Sequence, residues 1–178
     1  MAPEVGEILI SAQEIAGRVR ELGALLAREY AGREPVLVAV MKGSVMFLAD
    51  LVRAWPGPLD LEFVSAESYQ GTQAGGVRLV LPQDLGSRVA GQPVVVVDDI
   101  YDTGATLEHV CEALRALGPA DLRTLVLLRK RLPPEARRGR GRPDWVGFEI
   151  ENRFVIGYGL DYHGRYRNLP YLAVLGGA

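Results

Sequence analysis

The chain has 178 residues, 48% of them hydrophobic and 24% charged, and a formal net charge of -2. That composition excludes a disordered chain, offers no global basic field to recruit nucleic acid, and fits a single domain, residues 1–178, which buries roughly 70% of its unfolded surface. No basic segment precedes a long apolar one at the N-terminus, no run of about 18 apolar residues occurs, and the single cysteine, Cys111, permits no internal disulfide, so a cytoplasmic protein outside the membrane is expected.

In chain order, Ser11 and Glu14 have capping-box spacing, and Ile15, Val19, Leu22, Leu25 and Leu26 follow at helical intervals until Gly32 offers a stop. VLVAV (36–40) is a short apolar run of strand character, and KGSVMFLADLVRAW returns to helical spacing before Pro56. LDLEFVSAESY and VRLVLP are β-rich, with the glycine-rich polar loop QGTQAGG between them. PVVVVDD reads as a strand, ATLEHVCEALRALG as a helix closed by Gly118 and Pro119, and RTLVLLRK as another apolar strand. PDWVGFEI, RFVIGYG and YLAVL are short β-like pieces. Apolar strands alternating with helices predict an α/β fold with a mainly parallel sheet covered on both faces. Cys111 falls beside apolar helix positions and is expected to be a buried filler rather than a catalytic thiol.

The stretch VVVVDDIYDTGATL (94–107) carries the chemistry. Ligands of parallel sheets sit beyond the carboxyl ends of strands, where Asp98 to Thr106 is placed. Thr103, Gly104, Ala105 and Thr106 would offer N–H groups and hydroxyls at a helix start, an environment that suits a phosphate, and Gly104 would let the backbone approach it closely. Asp98 and Asp99 should point to opposite sides if the strand persists that far, and their charges call for a divalent metal or sugar hydroxyls. The plainer alternative is an Asp-rich cap, with Asp102 or Thr103 capping the helix and the others solvated, but capping needs only one aspartate. The GxxxxGK[ST] and strand-borne GxGxxG patterns are absent, which disfavours nucleoside triphosphate hydrolysis and NAD chemistry.

Four hydrophobics followed by DDIYDTGAT and a helix resemble the phosphoribosyl-pyrophosphate motif of the type I phosphoribosyltransferases. The resemblance implies a twisted, mainly parallel sheet flanked by helices, with a small hood formed by chain-terminal segments. In members that salvage 6-oxopurines the fifth motif position is an aspartate acting as general base, here Asp102. Adenine-specific members usually carry alanine there, and pyrimidine-operon regulators tyrosine. The resemblance therefore implies hypoxanthine or guanine as acceptor, IMP or GMP as product, magnesium as cofactor, and a homodimer or homotetramer.

Further matches extend over nearly the whole chain. VAVMKGSVMFLADL resembles the loop whose Lys-Gly pair, Lys42 and Gly43, lies against pyrophosphate, often after a cis peptide bond, here Met41–Lys42. SAESYQGTQAGGVRLV resembles the flexible active-site loop with its Ser-Tyr pair, Ser68 and Tyr69. Lys130 matches the lysine that donates to the purine 6-oxo group. VGFEIENRFVIGYGLDYHGRYRNLPY resembles the C-terminal signature, implying that Phe154 stacks on the purine, Val155 contacts it through its backbone, Asp161 joins Asp98 and Asp99 around magnesium, and Arg167 meets pyrophosphate. On residue type alone, Phe154 also fits a core strand, Asp161 a turn and His163 a surface position, while His109 has no evident partner.

Of 20 basic residues, 18 are arginine, and the two lysines, Lys42 and Lys130, both fall on matched positions. A compact ammonium reaches differently from a planar fork, so arginine is not an equivalent there. Two departures stand out. Asp98 replaces a glutamate common in the family, and Leu132 to Arg142 follows no strict pattern. The arginine-rich stretch Arg129 to Arg142 reads as a solvated connecting loop. Its alternative, an arm of an RNA-binding regulator on the same fold, is disfavoured by the net charge and by Asp102; a transferase preferring xanthine remains a third reading.

Overall fold

The structure, a computed structural model, describes residues 4–68, 77–139 and 141–176. A six-stranded sheet forms its centre. In chain order the elements are β1 (Val5–Ile10), α1 (Ala12–Glu29), β2 (Val36–Met41), α2 (Val45–Ala54), β3 (Asp60–Ser68), β4 (Val77–Val80), α3 (Leu85–Val89), β5 (Pro93–Tyr101), α4 (Ala105–Arg115), β6 (Asp121–Lys130), β7 (Trp145–Ile150), β8 (Val155–Ile156) and β9 (Leu172–Leu175), with one 3-10 turn at Pro134–Ala136. Spatial order in the main sheet is β4-β3-β2-β5-β6-β7. All neighbours are parallel except β3 and β4.

Strand alternation explains why the central strands are apolar throughout. Leu37, Ala39, Val95, Val97, Leu125 and Leu127 face α1 and α2, packing on Ile15, Val19, Leu22, Leu26, Phe47 and Leu51. Val36, Val38, Val40, Val94, Val96 and Val126 face the other way, onto Leu85 and Val89 of α3 and Leu107, Val110, Cys111 and Leu114 of α4. Each side of the sheet is thus covered by helices, so no strand residue between them can be polar without losing hydration. Cys111 is buried in the second layer, and burial pushes its thiol up to about 11, as a filler requires.

α1 begins as read: Ser11 Oγ accepts from the Glu14 N–H at 3.3 Å, and the Glu14 carboxylate accepts from the Ser11 N–H at 2.8 Å. The hood is a three-stranded antiparallel sheet, β1-β9-β8, at the carboxyl end of the central strands. Its strand β1 and the short α3 are absent from the sequence reading. β1 carries little periodic signal, because its pairing with β9 shifts register twice and leaves most of it partly exposed. Among the described residues no helix is long and apolar enough to cross a membrane.

Candidate active site

Beyond the carboxyl ends of β2 and β5 lies a cavity of about 570 Å³, lined by Lys42, Gly43, Asp98, Asp99, Asp102, Thr103, Gly104, Ala105, Thr106, Asp161 and Arg167 among others. The β2 side is fixed by a short turn. The Met41–Lys42 peptide is cis, and the buried Ser44 hydroxyl donates to the Val40 carbonyl at 2.6 Å, holding the turn into α2. Gly43 admits no side chain, since a Cβ there would fall 1.7 Å from Asp99 Oδ2.

The β5 side differs from expectation in two details. The strand persists through Asp98 and Asp99, yet both carboxylates line the same cavity. Asp98 folds back so that its Oδ1 accepts from the Asp99 N–H at 2.9 Å, and Asp99 Oδ1 accepts from the Ile100 N–H at 2.9 Å. The cap of α4 is neither Asp102 nor Thr103. It is Gly104 in the left-handed region, φ 88°, with no side chain capping the first turn, which leaves backbone donors directed at the cavity end. A side chain at Gly104 would strike the Tyr101 hydroxyl at 2.5 Å, so glycine is required by its own neighbour as well as by any ligand.

Burial is the main electrostatic fact of this cavity. It holds the Asp98 carboxyl well above the usual range, with repulsion from Asp99 adding to the effect, and it raises Asp99 as well. Two adjacent buried carboxylates fit a cation or hydroxyl donors. Among the described residues no group of three or more His, Cys, Asp or Glu could hold a metal unaided. Magnesium, however, characteristically takes only one or two carboxylates, completing its shell with water and phosphate oxygens.

A second cavity of about 230 Å³ opens beside the first and is lined by Asp99, Asp102, Lys130, Phe154, Val155 and Asp161 with Ile100 and Leu160. Lys130, at the end of β6, donates from Nζ to Asp102 Oδ2 at 2.9 Å. Phe154 precedes β8 and is 47% exposed, so it is not a core strand residue; its ring meets Tyr162 edge-on, centroids 5.8 Å apart. Asp161 borders both cavities, but its carboxylate is engaged by Arg167 at 2.6 Å and by the Gly164 N–H at 2.6 Å rather than gathered with Asp98 and Asp99. Arg167 also donates to the Gly159 carbonyl at 2.5 Å. A Cβ on Gly159, φ 100°, would lie 2.0 Å from the Gly43 carbonyl oxygen, which shows how tightly the hood bears on the Lys42–Gly43 turn.

The structure therefore brings together every expected site residue whose side chain it describes; the Ser68 side chain, at the end of β3, and Tyr69 lie outside the description. His163 is exposed at φ 50° and packs on Tyr162, while His109, read as lacking a partner, donates from Nδ1 to the Ala105 carbonyl at 2.7 Å. Tyr101 was missed. It also lines the larger cavity, and a lone tyrosine inside an aspartate-rich motif gives its only sequence signal.

Comparison with known proteins gives a consistent result. A family model described as the phosphoribosyl transferase domain matches residues 6–163. The hypoxanthine-guanine phosphoribosyltransferase of Lactococcus lactis subsp. lactis (strain IL1403) is 40% identical over 173 residues, covering 96% of this chain and 91% of that protein. The Bacillus subtilis (strain 168) protein of the same name is 37% identical over 175 residues, covering 98% and 96%. Among solved structures, the hypoxanthine phosphoribosyltransferase of Trypanosoma cruzi in complex with the product IMP superimposes with a TM-score of 0.87 at 39% identity, covering 97% of this chain and 95% of that one.

Proposed function

The chain belongs to the phosphoribosyl transferase family, and from that premise we propose that it transfers the 5-phosphoribosyl group from phosphoribosyl pyrophosphate to hypoxanthine or guanine, releasing pyrophosphate and giving IMP or GMP. The observation that carries this reading is Asp102, whose carboxylate borders both cavities and so stands between the donor sugar and the acceptor base.

In this reading the larger cavity takes phosphoribosyl pyrophosphate. The turn Thr103–Thr106 holds the 5-phosphate with backbone N–H groups and hydroxyls, as an uncapped helix start can. Lys42 and the Gly43 backbone hold the pyrophosphate, with Arg167 released from Asp161 or shared with it. Asp98 and Asp99 take the ribose hydroxyls and, with Asp161, would hold a magnesium ion, which would supply charge neutralisation for the pyrophosphate. The smaller cavity takes the purine: Phe154 stacks on its face, Val155 meets its edge through the backbone, and Lys130 donates to the 6-oxo group. As the bond from sugar to pyrophosphate lengthens and positive charge builds on the ribose, purine N9 forms the new bond to the sugar carbon while Asp102 accepts the proton from N7, so that no net positive charge is left on the ring. Ser68 and Tyr69 would exclude water that would otherwise hydrolyse the activated sugar.

The same reading includes a cytoplasmic location and a homodimer or homotetramer. A spectrophotometric panel of hypoxanthine, guanine, xanthine and adenine with phosphoribosyl pyrophosphate and magnesium tests it. Turnover is expected with hypoxanthine or guanine; turnover confined to adenine or xanthine would assign Asp102 and Lys130 to another base, and none with any base would remove the transferase reading.

A further inference from the structure

We propose that Tyr101 is a positioning residue that couples the loop between β6 and β7 to the phosphate-holding turn. The proposal rests on the transferase reading given above and adds a role for a segment that touches no substrate. None of the described residues between Arg131 and Asp144 lines the 570 Å³ cavity. Three hydrogen bonds to its main chain nonetheless join this segment to the turn and to the end of β5. The N–H groups of Arg138 and Gly139 both donate to the Thr103 carbonyl, at 2.8 and 3.0 Å. The Tyr101 hydroxyl donates to the Gly141 carbonyl at 2.6 Å.

The first two contacts set a direction. In a trans peptide the C=O and the following N–H point oppositely. Fixing the Thr103 carbonyl toward the loop therefore aims the Gly104 N–H away from it, toward the cavity that Gly104 lines. Two donors on one carbonyl also polarise that peptide, strengthening its N–H as a donor. Tyr101 supplies the third side. It is the last residue of β5, only 6% exposed, and its ring lies so close to Gly104 that a Cβ there would fall 2.7 Å from Cζ. A Cβ at Gly139 would likewise fall 2.6 Å from the Gly104 carbonyl oxygen. Gly104 is thus in close contact with both a strand-borne ring and the loop.

The loop can act as a brace because both its ends are tied to the sheet. Arg131 N–H donates to the Ile150 carbonyl at 2.8 Å. At the other end the Asp144 carboxylate accepts from Thr124 N–H and Oγ1, both at 2.8 Å, and Asp144 N–H donates back to Thr124 Oγ1 at 3.0 Å. Because the bracing contacts use the main chain at Arg138, Gly139 and Gly141, most side chains here are free to vary, which explains why this stretch follows no strict pattern.

Tyr101→Phe removes only the hydroxyl and tests the coupling. KM for phosphoribosyl pyrophosphate is expected to rise roughly two- to tenfold, the range one net hydrogen bond spans, with kcat and KM for hypoxanthine within about twofold of wild type. Gly139→Ala, whose Cβ would press on the Gly104 backbone, should raise the same KM. In the ligand-free protein, hydrogen exchange of the amides at 104–107 should quicken in both variants. An unchanged KM in Tyr101→Phe, or equal rises in both KM values, overturns the coupling. If the wild-type protein transfers nothing, the transferase reading fails on its own, and the exchange measurement decides the coupling: unchanged rates at 104–107 overturn it.

Discussion

Lys130 and Asp102 hold one another directly, Nζ to Oδ2 at 2.9 Å, with the lysine 11% exposed and the aspartate 47%. The proposed anchor of the purine and its proposed base are thus paired before any ligand arrives, and a 6-oxopurine must take a share of both partners. The half-exposed carboxylate of Asp102 keeps the pair weak enough to exchange.

Lys130→Ala should therefore weaken IMP binding roughly 10- to 100-fold, the worth of a charge-assisted hydrogen bond, while phosphoribosyl pyrophosphate binds within about twofold of wild type. Titration calorimetry of both ligands decides the matter. Equal losses for the two would place Lys130 outside the base pocket.

Asp102→Asn keeps the shape and removes the proton acceptor. Turnover with hypoxanthine should fall by roughly 10² to 10⁴, the usual contribution of a positioned general base. Near-normal turnover would strip Asp102 of that role.

The buried aspartates give a dependence on pH whose sign follows from their raised pKa values. A carboxyl whose folded pKa lies above its unfolded value, about 4, stabilises the fold fully below that unfolded value and loses the contribution as pH rises through the folded one. The ligand-free protein is then penalised near neutrality by carrying Asp98. Asp98→Asn, measured with chelator present, should melt a few degrees higher than wild type at pH 7, since about 1 kcal/mol shifts a chain of this size by 2–4 °C. The difference should shrink toward pH 4, and transfer activity should drop. A gap in melting temperature that does not vary with pH would contradict this account.

Gly159→Ala tests the contact between hood and pyrophosphate turn. Its φ of 100° and the 2.0 Å approach to the Gly43 carbonyl require displacement of one or the other, at a cost of about 2 kcal/mol or more. Gly118→Ala is a useful comparison, because its φ is 75° and nothing lies within 4 Å of the added carbon. Differential scanning calorimetry should show the larger loss for Gly159, with a raised KM for phosphoribosyl pyrophosphate in that variant alone. Similar losses at both positions would mean that backbone strain, not the contact, governs.

Local signals made much of this architecture legible. The capping box at Ser11 and Glu14 marked the start of α1, and apolar runs marked β2, β5 and β6, because these features depend on neighbours within a turn or a strand. The aspartate motif marked the site, since three carboxylates at a strand end have few structural uses. β1 stayed hidden because its partner β9 lies more than 160 residues away, at pairings such as Ile8 with Ala173. The return of Asp98 onto its own backbone was equally unreadable, as alternation predicts where a Cβ points and not where a carboxylate ends. The brace at Arg138, Gly139 and Gly141 left almost no trace, because main-chain contacts constrain side chains little.

The pairing of β1 with β9 has a consequence for the order in which the protein acquires its capabilities during translation. Domains begin to organise as the chain leaves the ribosome, and five of the six strands of the main sheet precede residue 131. The Lys42 turn, the aspartate motif and Lys130 are then already synthesised, whereas Phe154, Asp161, Arg167 and the strand that closes the hood are still to come. A nascent chain thus holds the Lys42 turn, the aspartate motif and Lys130 before Phe154, Asp161 and Arg167, so each cavity gains its last walls only when the C-terminal segment has been made.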